Sequence, residues 1–204
     1  MTPLIKICGL TDISAVTAAV DAGADAVGFV FADSVRRISV PDAVGIAAHV
    51  PQQVKKVAVM MHPSNEEWQA VSSGFRPDVL QTDLADFEYL EVPVGMEIWP
   101  VTREGAVPGE DDLPDLFVYE GKASGTGQTV DWQVAAELAR RGKMILAGGM
   151  NITNVPEAIR EVAPFGVDVS SGVESAPGIK DITKIQAFIT AVREAGSATG
   201  EAIV

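Results

Sequence analysis

Cysteine is almost missing from this sequence: Cys8 is the single one among 204 residues. One cysteine cannot close a disulfide within the chain, so nothing in the composition favours an oxidising compartment. Long apolar runs are missing as well, since no uncharged stretch approaches the roughly 20 residues that cross a bilayer. The opening residues MTPLIKICG have too short an apolar run and too early a charge for a signal peptide. We therefore expect a soluble, cytoplasmic protein.

Positive charge is also in short supply. Lysine and arginine number 15 against 28 aspartates and glutamates, which gives a net charge of −13 at pH 7. Such a charge repels nucleic acid and anionic membranes, so we expect neither as a partner, and it favours a monomer. An anionic small molecule would have to be held by a local binding site.

What the sequence has instead is a regular alternation of two kinds of segment. Eight short runs are rich in β-branched or bulky apolar residues, which is typical of parallel strands buried on both faces. These runs are LIKIC, AVGFVF, KKVAVMM, DVLQT, MEIWPV, LFVYE, KMILAG and GVDVS. Stretches with helical spacing separate most of them. The predicted helices cover residues 12–22, 40–49, 64–73, 132–141, 155–162 and 181–195.

This alternation predicts an α/β protein with a single-domain (β/α)8 barrel, also called a TIM barrel, over residues 1–204. Residues 196–204 are expected to form a poorly ordered tail. A doubly wound open sheet is the alternative fold. A barrel places its active site at the carboxyl ends of its strands. Chemically capable side chains do follow the apolar runs, namely Cys8, Arg36, Asp83 and Glu120.

Glycine-rich loops follow the last three runs, as GKASGTGQT, AGGMN and SSGVE. Glycine lets backbone N–H groups approach an anion closely, and a helix that begins just beyond adds a favourable dipole. Barrels frequently hold a phosphate in the loops after strands seven and eight. We therefore predict that these loops bind a phosphate-bearing substrate. The residues concerned are Gly127, Gly148, Gly149, Ser170, Ser171 and Gly172.

Several segments together resemble the phosphoribosylanthranilate isomerases of tryptophan biosynthesis. They run in order from Ile5 to about Asp181 as KICGLT, GFVF with SVRRIS, GTGQTVDW, LAGGMNITNV and GVDVSSGVESAPGIKD. The resemblance implies conversion of N-(5-phosphoribosyl)anthranilate to 1-(2-carboxyphenylamino)-1-deoxyribulose 5-phosphate, an Amadori rearrangement. That reaction needs a general acid at the sugar ring oxygen and a general base at C2′, with no metal or organic cofactor.

The resemblance assigns catalytic roles to Cys8 and Glu120. The family's base is the cysteine of the KICG motif, which is Cys8 here. A lone cysteine on a buried strand could also be a small apolar core residue. The family's acid is an aspartate seven residues before the last glycine of the GTG motif, where this chain has the longer Glu120. An exposed carboxylate at a strand end is the alternative for Glu120.

The resemblance also suggests substrate-binding residues. Arg36 matches the arginine that pairs with the anthranilate carboxylate, and a planar guanidinium can bond both carboxylate oxygens. Asp168 belongs to the DVSSG block and could lie beneath the phosphate loop. Asp83 stands in QTDL, where the family usually has a histidine in a QLHG-like segment. If Asp83 faced the same cavity as Glu120, one of the two carboxyl groups would have a raised pKa. A helix cap is the alternative for Asp83.

Metal chemistry is not indicated by the histidines. His49 and His62 have no cysteine or carboxylate at the spacing of metal ligands. Two other functions stay open: a related phosphosugar aminoaldose isomerase with broadened specificity, or a barrel that binds a phosphosugar but has lost catalysis. The retained Cys8 argues against the second, because a pure binding protein needs no base at that position.

Overall fold

Eight parallel strands close into a barrel in the computed structural model, which describes residues 2–109, 112–122 and 128–201. Each strand is hydrogen-bonded to the next along the chain, and the last strand pairs with the first. The predicted (β/α)8 barrel is therefore confirmed, and the alternative of an open sheet is excluded. The strands are β1 Leu4–Cys8, β2 Ala26–Val30, β3 Lys55–Val59, β4 Val79–Asp83, β5 Glu97–Arg103, β6 Leu116–Glu120, β7 Lys143–Leu146 and β8 Gly166–Val169.

Six α-helices pack outside the barrel among the described residues. A 3-10 helix, Leu84–Glu88, takes the place of an α-helix after β4, and the described residues after β5 form a loop. A short antiparallel pair, β9 Glu174–Ala176 and β10 Ile179–Lys180, follows β8. The helices are α1 Ile13–Ala22, α2 Val40–Ala47, α3 Asn65–Phe75, α4 Trp132–Ala139, α5 Val155–Val162 and α6 Ile182–Glu201.

Side-chain caps explain where several helices begin. Asp12 accepts a hydrogen bond from the backbone N–H of Ala15 at the start of α1. Ser64 and Glu67 form a reciprocal capping box at the start of α3. Asp131 accepts bonds from the first turn of α4. Each cap satisfies N–H groups that have no partner within the helix.

The last helix continues beyond the predicted boundary at residue 195. Helix α6 extends to Glu201, so the first part of the segment expected as a tail is helical, and residues 202–204 lie outside the described residues. Within the described ranges, no helix is both long and apolar enough to cross a membrane.

Closure of the barrel divides the apolar side chains into two cores. The larger core lies between the strands and the helices, and includes Trp68, Phe117 and Phe188. The smaller core fills the barrel interior and contains Val57, Trp99 and other side chains that alternate along the strands. Because side chains in a strand alternate between its two faces, every second residue must enter the interior.

Polar residues occupy the upper part of that interior, toward the carboxyl ends of the strands. Lys6 and Cys8 share the inner face of β1, and the register places Lys6 beside Asp168 and Cys8 beside Gly28. On β5 and β6, Arg103 lies beside Glu120. Strand alternation therefore brings these polar groups to the same end of the barrel, where the candidate site lies.

Candidate active site

A cavity of about 580 Å³ opens at the carboxyl ends of the strands. Most of the site residues predicted from sequence line it. Asp83 and Gly172 lie outside the lining, and Gly127 falls outside the described residues. The predicted residues in the lining are Cys8, Arg36, Glu120, Gly148, Gly149, Asp168, Ser170 and Ser171.

Cys8 lies at the base of the cavity beside a buried ion pair. The Nζ atom of Lys6, whose side chain is fully buried, lies 2.6 Å from Oδ2 of Asp168. A Cβ built on Gly28 would lie 3.0 Å from Sγ of Cys8 and 3.1 Å from Cε of Lys6. The thiol and the lysine stem therefore converge on the space that Gly28 leaves open.

The positive charges around Cys8 oppose the effect of burial on the pKa of its thiol. Burial raises the pKa of the Cys8 thiol, and the positive charges of Lys6 and Lys180 partly oppose this increase. Burial by itself would lower the pKa of Lys6, but the Asp168 carboxylate and Cys8 outweigh it and raise that pKa. Lys6 is therefore held as a cation beside the thiol.

Two buried oxygen atoms in the lining have no hydrogen-bond partner among the described residues. They are Oδ1 of Asp168 and Oε1 of Gln81. A buried polar atom without a partner is unfavourable, because burial removes its bonds to water. Both oxygens are acceptors, so they suit the hydroxyl or N–H groups of a bound ligand.

Arg103 lies between the two carboxyl groups that follow β4 and β6. Its Nε and Nη2 atoms are 2.6 and 2.8 Å from the two oxygens of Asp83, and its Nη1 is 2.5 Å from Oε1 of Glu120. The sequence-based expectation of a raised carboxyl pKa relied on repulsion between Asp83 and Glu120. The positive guanidinium between them offsets that repulsion. Asp83 precedes the 3-10 helix without a side-chain capping bond, so the helix-cap alternative is wrong.

Arg36 is already engaged by an acidic residue from beyond β8. Its Nε and Nη2 donate to Oε1 and Oε2 of Glu174 at 2.7 and 2.9 Å. Lys180 also donates to Glu174, at 2.8 Å, and to the Ser170 carbonyl, at 2.9 Å. Glu174 therefore occupies the Nε/Nη2 edge of the Arg36 guanidinium and leaves the Nη1/Nη2 edge, so the expected pairing of Arg36 with a substrate carboxylate stays a prediction.

The loops after β7 and β8 form the cavity wall next to β1. Gly148 and Gly149 have positive φ angles of 86° and 64°, in the left-handed region that favours glycine. A Cβ on Gly149 would lie 2.6 Å from the backbone nitrogen of Thr129. Gly172 contacts the Met150 carbonyl so closely that a Cβ would collide with it. Glycine at 149 and 172 therefore lets neighbouring loops approach one another around the site.

His62 follows β3 and brings an imidazole to the cavity. Its ring Nδ1 is 2.9 Å from Oδ1 of Asp86, and its backbone N–H donates to Oδ2 of Asp86 at 3.1 Å. The hydrogen bond to Asp86 raises the pKa of His62, burial opposes this increase, and the charge of Asp83 adds to it while that of Arg103 subtracts. The imidazolium form is thereby favoured.

A cation could in principle be considered at His62, Asp83 and Asp86, whose ligand atoms lie within 4.8 Å of one another. Both oxygens of Asp83 accept hydrogen bonds from Arg103, whose charge would repel a metal ion. Sequence spacing gave His62 no carboxylate partner, whereas the fold brings Asp83 and Asp86 close to it. The carboxylates come from another loop, so sequence spacing did not reveal them.

Sequence reasoning missed several members of this site. Lys6 was the easiest of them to find from the sequence. A lysine between Ile5 and Ile7 in an apolar strand must have a charged partner if the strand is buried. Arg103 occupies the same strand-end position on β5 as Glu120 on β6. For others the sequence offered no comparable signal, because their partners are far away in the chain: His62, Asp86, Glu174 and Lys180.

Comparisons with known proteins are consistent across nearly the whole chain. The family model PRAI, described as N-(5'phosphoribosyl)anthranilate (PRA) isomerase, matches residues 5–191. The N-(5'-phosphoribosyl)anthranilate isomerase of Listeria innocua is 38% identical over 209 residues, which cover 95% of this chain and 99% of that protein.

Solved structures agree with the sequence relatives. TrpF from Jonesia denitrificans is 34% identical with a TM-score of 0.79, over 95% of this chain and 98% of that one. A phosphoribosyl anthranilate isomerase in complex with reduced 1-(o-carboxyphenylamino)-1-deoxyribulose 5-phosphate is 32% identical with a TM-score of 0.74, over 94% and 99%. The similarity therefore includes the entire barrel and its upper loops.

The acid sensitivity of the fold should depend on Glu174. Burial would raise the pKa of Glu174, but hydrogen bonds and charges from Arg36 and Lys180 outweigh it and lower the pKa to about 2. A lowered carboxyl pKa stabilises the fold fully above pH 4.5, and this stabilisation is lost as the pH falls toward 2. At about 1.4 kcal/mol per pKa unit, it amounts to roughly 3 kcal/mol.

We expect Glu174→Gln to have a lower free energy of unfolding than the parent at pH 7. This difference in free energy, the gap between the two proteins, should narrow between pH 5 and pH 2. Urea unfolding across this pH range measures it. Glu157→Gln, at an exposed position of α5, is the matched control. A gap for Glu174→Gln that stays constant down to pH 2 would contradict the assignment.

Proposed function

The chain belongs to the N-(5'-phosphoribosyl)anthranilate isomerase family, and from this premise we propose how its own residues carry out the isomerisation. The substrate is N-(5-phosphoribosyl)anthranilate, and the product is 1-(2-carboxyphenylamino)-1-deoxyribulose 5-phosphate. The alternatives of another phosphosugar isomerase or an inactive binding barrel are not favoured, since the relatives that span the whole chain carry the isomerase name.

The reaction moves two protons and no other group. A general acid protonates the furanose ring oxygen, the ring C–O bond breaks, and the nitrogen lone pair forms a Schiff base. A general base then removes the proton from C2′, the electron pair of that C–H bond forms the C1′=C2′ double bond, and the π pair of the C=N bond returns to nitrogen. The resulting enolamine becomes the ketone when its 2′-hydroxyl loses a proton and C1′ gains one. The protein must therefore place one acid and one base on opposite sides of the sugar.

Cys8 is the proposed base. It lies at the base of the cavity, where Lys6 and Lys180 supply positive charge next to a thiol whose burial disfavours ionisation. A cysteine removes a proton from carbon only as the charged thiolate, so nearby cations increase the fraction of Cys8 that can act as a base. The observation that carries this assignment is the convergence of Cys8 and Lys6 beside Gly28.

Glu120 is the proposed acid. It ends β6 and lines the cavity, on a different wall from β1. Its side chain is one methylene longer than that of the family's aspartate, and Arg103 holds its Oε1 at 2.5 Å. The guanidinium thus restricts where the longer carboxyl group can lie, which matters because a displacement of ~1 Å can reduce a rate on the order of 10²-fold.

The loops after β7 and β8 are the proposed phosphate site. The backbone N–H groups of Gly148 and Gly149 donate to no acceptor in the described part of the chain, so they remain available to an anion. Ser170 and Ser171 line the same wall, and the buried Lys180 contacts Ser170 from behind. These groups counter the repulsion that the negative charge of the whole chain exerts on a phosphate.

The sugar and the aromatic ring would occupy the space between these loops and Arg36. Asp168 Oδ1 and Gln81 Oε1 are the proposed acceptors for sugar hydroxyl groups, because both are buried without a partner among the described residues. The remaining edge of the Arg36 guanidinium, formed by Nη1 and the second N–H of Nη2, is the proposed donor to the anthranilate carboxylate.

Turnover should depend on both proposed catalytic residues. We expect Cys8→Ser and Glu120→Gln each to reduce kcat by at least about 10²-fold, the usual contribution of a positioned acid or base. The fluorescence loss of freshly generated phosphoribosylanthranilate measures the rate, and binding of the reduced product analogue shows that each variant retains its site. Glu66→Gln, at an exposed position of α3, is the control. Turnover within threefold of the parent in either variant contradicts its assignment.

Lys6 should lower the pH at which Cys8 ionises. Since Cys8 is the single cysteine, its alkylation by iodoacetamide reports on one thiol alone. We expect Lys6→Met to move the pH midpoint of alkylation upward relative to the parent, because the variant loses a cation beside the thiolate. If the single variant folds poorly, the double variant Lys6→Met/Asp168→Leu replaces it in the experiment. The double variant also removes the carboxylate that Lys6→Met leaves without its partner.

The matched control is Lys143→Met, at the opposite end of the barrel. It should leave the alkylation midpoint unchanged. The same midpoint in the parent and in both Lys6 variants would show that Lys6 has no influence on the base.

We also propose that the protein is a cytoplasmic monomer. A single, buried cysteine suits a reducing compartment, and the net charge of −13 opposes self-association. Light scattering coupled to size-exclusion chromatography should give a mass near 21.4 kDa. A mass near twice that value would indicate a dimer.

A further inference from the structure

His62 is the one histidine of the two that lines the cavity, and its role is not explained by the acid and base above. Its imidazole is mostly exposed, with 64% of the side chain accessible to solvent. It follows β3, whereas Arg36 follows the neighbouring β2, and both line the same cavity. Met60 and Met61 lie in the lining next to His62 and provide an apolar surface.

A buried carboxylate fixes the orientation of this exposed ring. Asp86 is only 2% exposed, and its oxygens contact the backbone N–H and ring Nδ1 of His62, the Thr82 hydroxyl at 2.5 Å and the Tyr89 hydroxyl at 3.0 Å. The backbone of His62 has a φ of 48°, an uncommon conformation for a residue with a side chain. The uncommon backbone conformation of His62 and the buried Asp86 carboxylate together hold one imidazole at the mouth of the cavity.

The second ring nitrogen is left for a ligand. Since Nδ1 bonds to Asp86, the other nitrogen is Nε2, which lies 3.8 Å from Oδ2 of Asp83. That distance exceeds a hydrogen bond, and Asp83 is already bonded by Arg103. Among the described residues, Nε2 therefore donates to no acceptor within hydrogen-bonding distance.

The charges around the ring favour the protonated form. The hydrogen bond that His62 donates to Asp86 is the largest influence that raises the pKa of His62. Asp83 raises it further, and Arg103 lowers it. The other charged side chains lining the adjoining surface come from the β2–α2 loop and from α3, and are Asp33, Arg37 and Glu67.

The aromatic carboxylate of the substrate can accept more hydrogen bonds than Arg36 supplies. Glu174 takes one N–H each of Nε and Nη2, which leaves Nη1 and the second N–H of Nη2 as a fork, whereas a carboxylate has about four acceptor positions. The other cations of the described lining are unsuitable. Arg103 bonds Asp83 and Glu120, and Lys122 follows β6, across the barrel from β2.

We propose that His62 is a specificity-determining residue whose Nε2–H binds the carboxylate of the substrate's aromatic ring, together with Nη1 of Arg36. A charge-assisted bond of this kind adds a preference for an aromatic amine that bears an ortho carboxylate. The methionine surface next to the ring accepts the apolar face of the same aromatic group. The inference rests on the proposed function, because it assigns a contact to that substrate.

A matched pair of ligands isolates this contact. One is the reduced product analogue with its 2-carboxyphenyl group, and the other carries a plain phenyl group in its place. Both retain the phosphosugar, so their affinity ratio reports the carboxylate alone. We expect His62→Gln to lower that ratio roughly tenfold, while affinity for the phenyl ligand changes less than twofold. His49→Gln, at the other, exposed histidine, should leave the ratio unchanged.

The pH dependence separates a charged imidazole from a neutral contact. In the parent the affinity ratio should fall as the pH rises through the pKa of His62, because the imidazolium is then lost. In His62→Gln the ratio should be independent of pH over the same range. Steady-state kinetics on the natural substrate should show an increased KM with little change in kcat.

The possible outcomes distinguish this inference from the proposed function. If the parent neither turns over phosphoribosylanthranilate nor binds the carboxyphenyl ligand, the proposed function fails. If the parent is active but His62→Gln keeps the parent's ligand ratio and its pH dependence, the role of His62 is overturned while the isomerase assignment stands. A loss of affinity for both ligands equally would also overturn it, since the effect would not involve the carboxylate.

Discussion

Closure of the sheet between β1 and β8 is the constraint on which the site depends. The pairing of these two strands places Lys6 beside Asp168, and the two side chains form an ion pair in the interior. Lys6 is fully buried in this pair and Asp168 is nearly so. A charge in such surroundings is tolerated only with a partner. The pairing of β1 with β2 on its other side aligns Cys8 with Gly28, which leaves the space into which the thiol and the lysine stem extend. The environment of the proposed base is thus a consequence of the two registers that β1 makes with its neighbours.

A second theme is the pairing of arginine, lysine and histidine side chains in the site with carboxylates. Arg36 bonds Glu174, Arg103 bonds Asp83 and Glu120, and the ring of His62 bonds Asp86. These pairs hold the polar side chains in defined positions around a water-accessible cavity. They also offset the local carboxylates with cations, although the chain as a whole has a net charge of −13. A doubly anionic substrate therefore meets local donors despite long-range repulsion.

Much of the fold followed from local patterns. The eight apolar runs became the eight strands, and the six predicted helices formed with boundaries shifted by a few residues. Such elements depend on side-chain periodicity and on caps such as Asp12 and Ser64, which involve neighbours in the chain. The resemblance to a known family led to Cys8 and Glu120, and alternation along β5 would have led to Arg103. For Asp83 the sequence left a cavity-facing carboxyl group and a helix cap open, because its partner, Arg103, lies on the next strand.

The sequence by itself determined the strands, the helices, the glycine-rich loops and which residue types could serve as acid, base and anion donors. These depend on interactions within a few residues, or on motifs that recur intact. Only the tertiary structure decided which charges meet. Glu174 occupies the fork of Arg36 from 138 residues away, and Asp86 reaches His62 across 24. Such pairings arise when the barrel closes and brings strand ends together, because electrostatic and hydrogen-bonding partners are selected by distance in space and not by spacing along the chain.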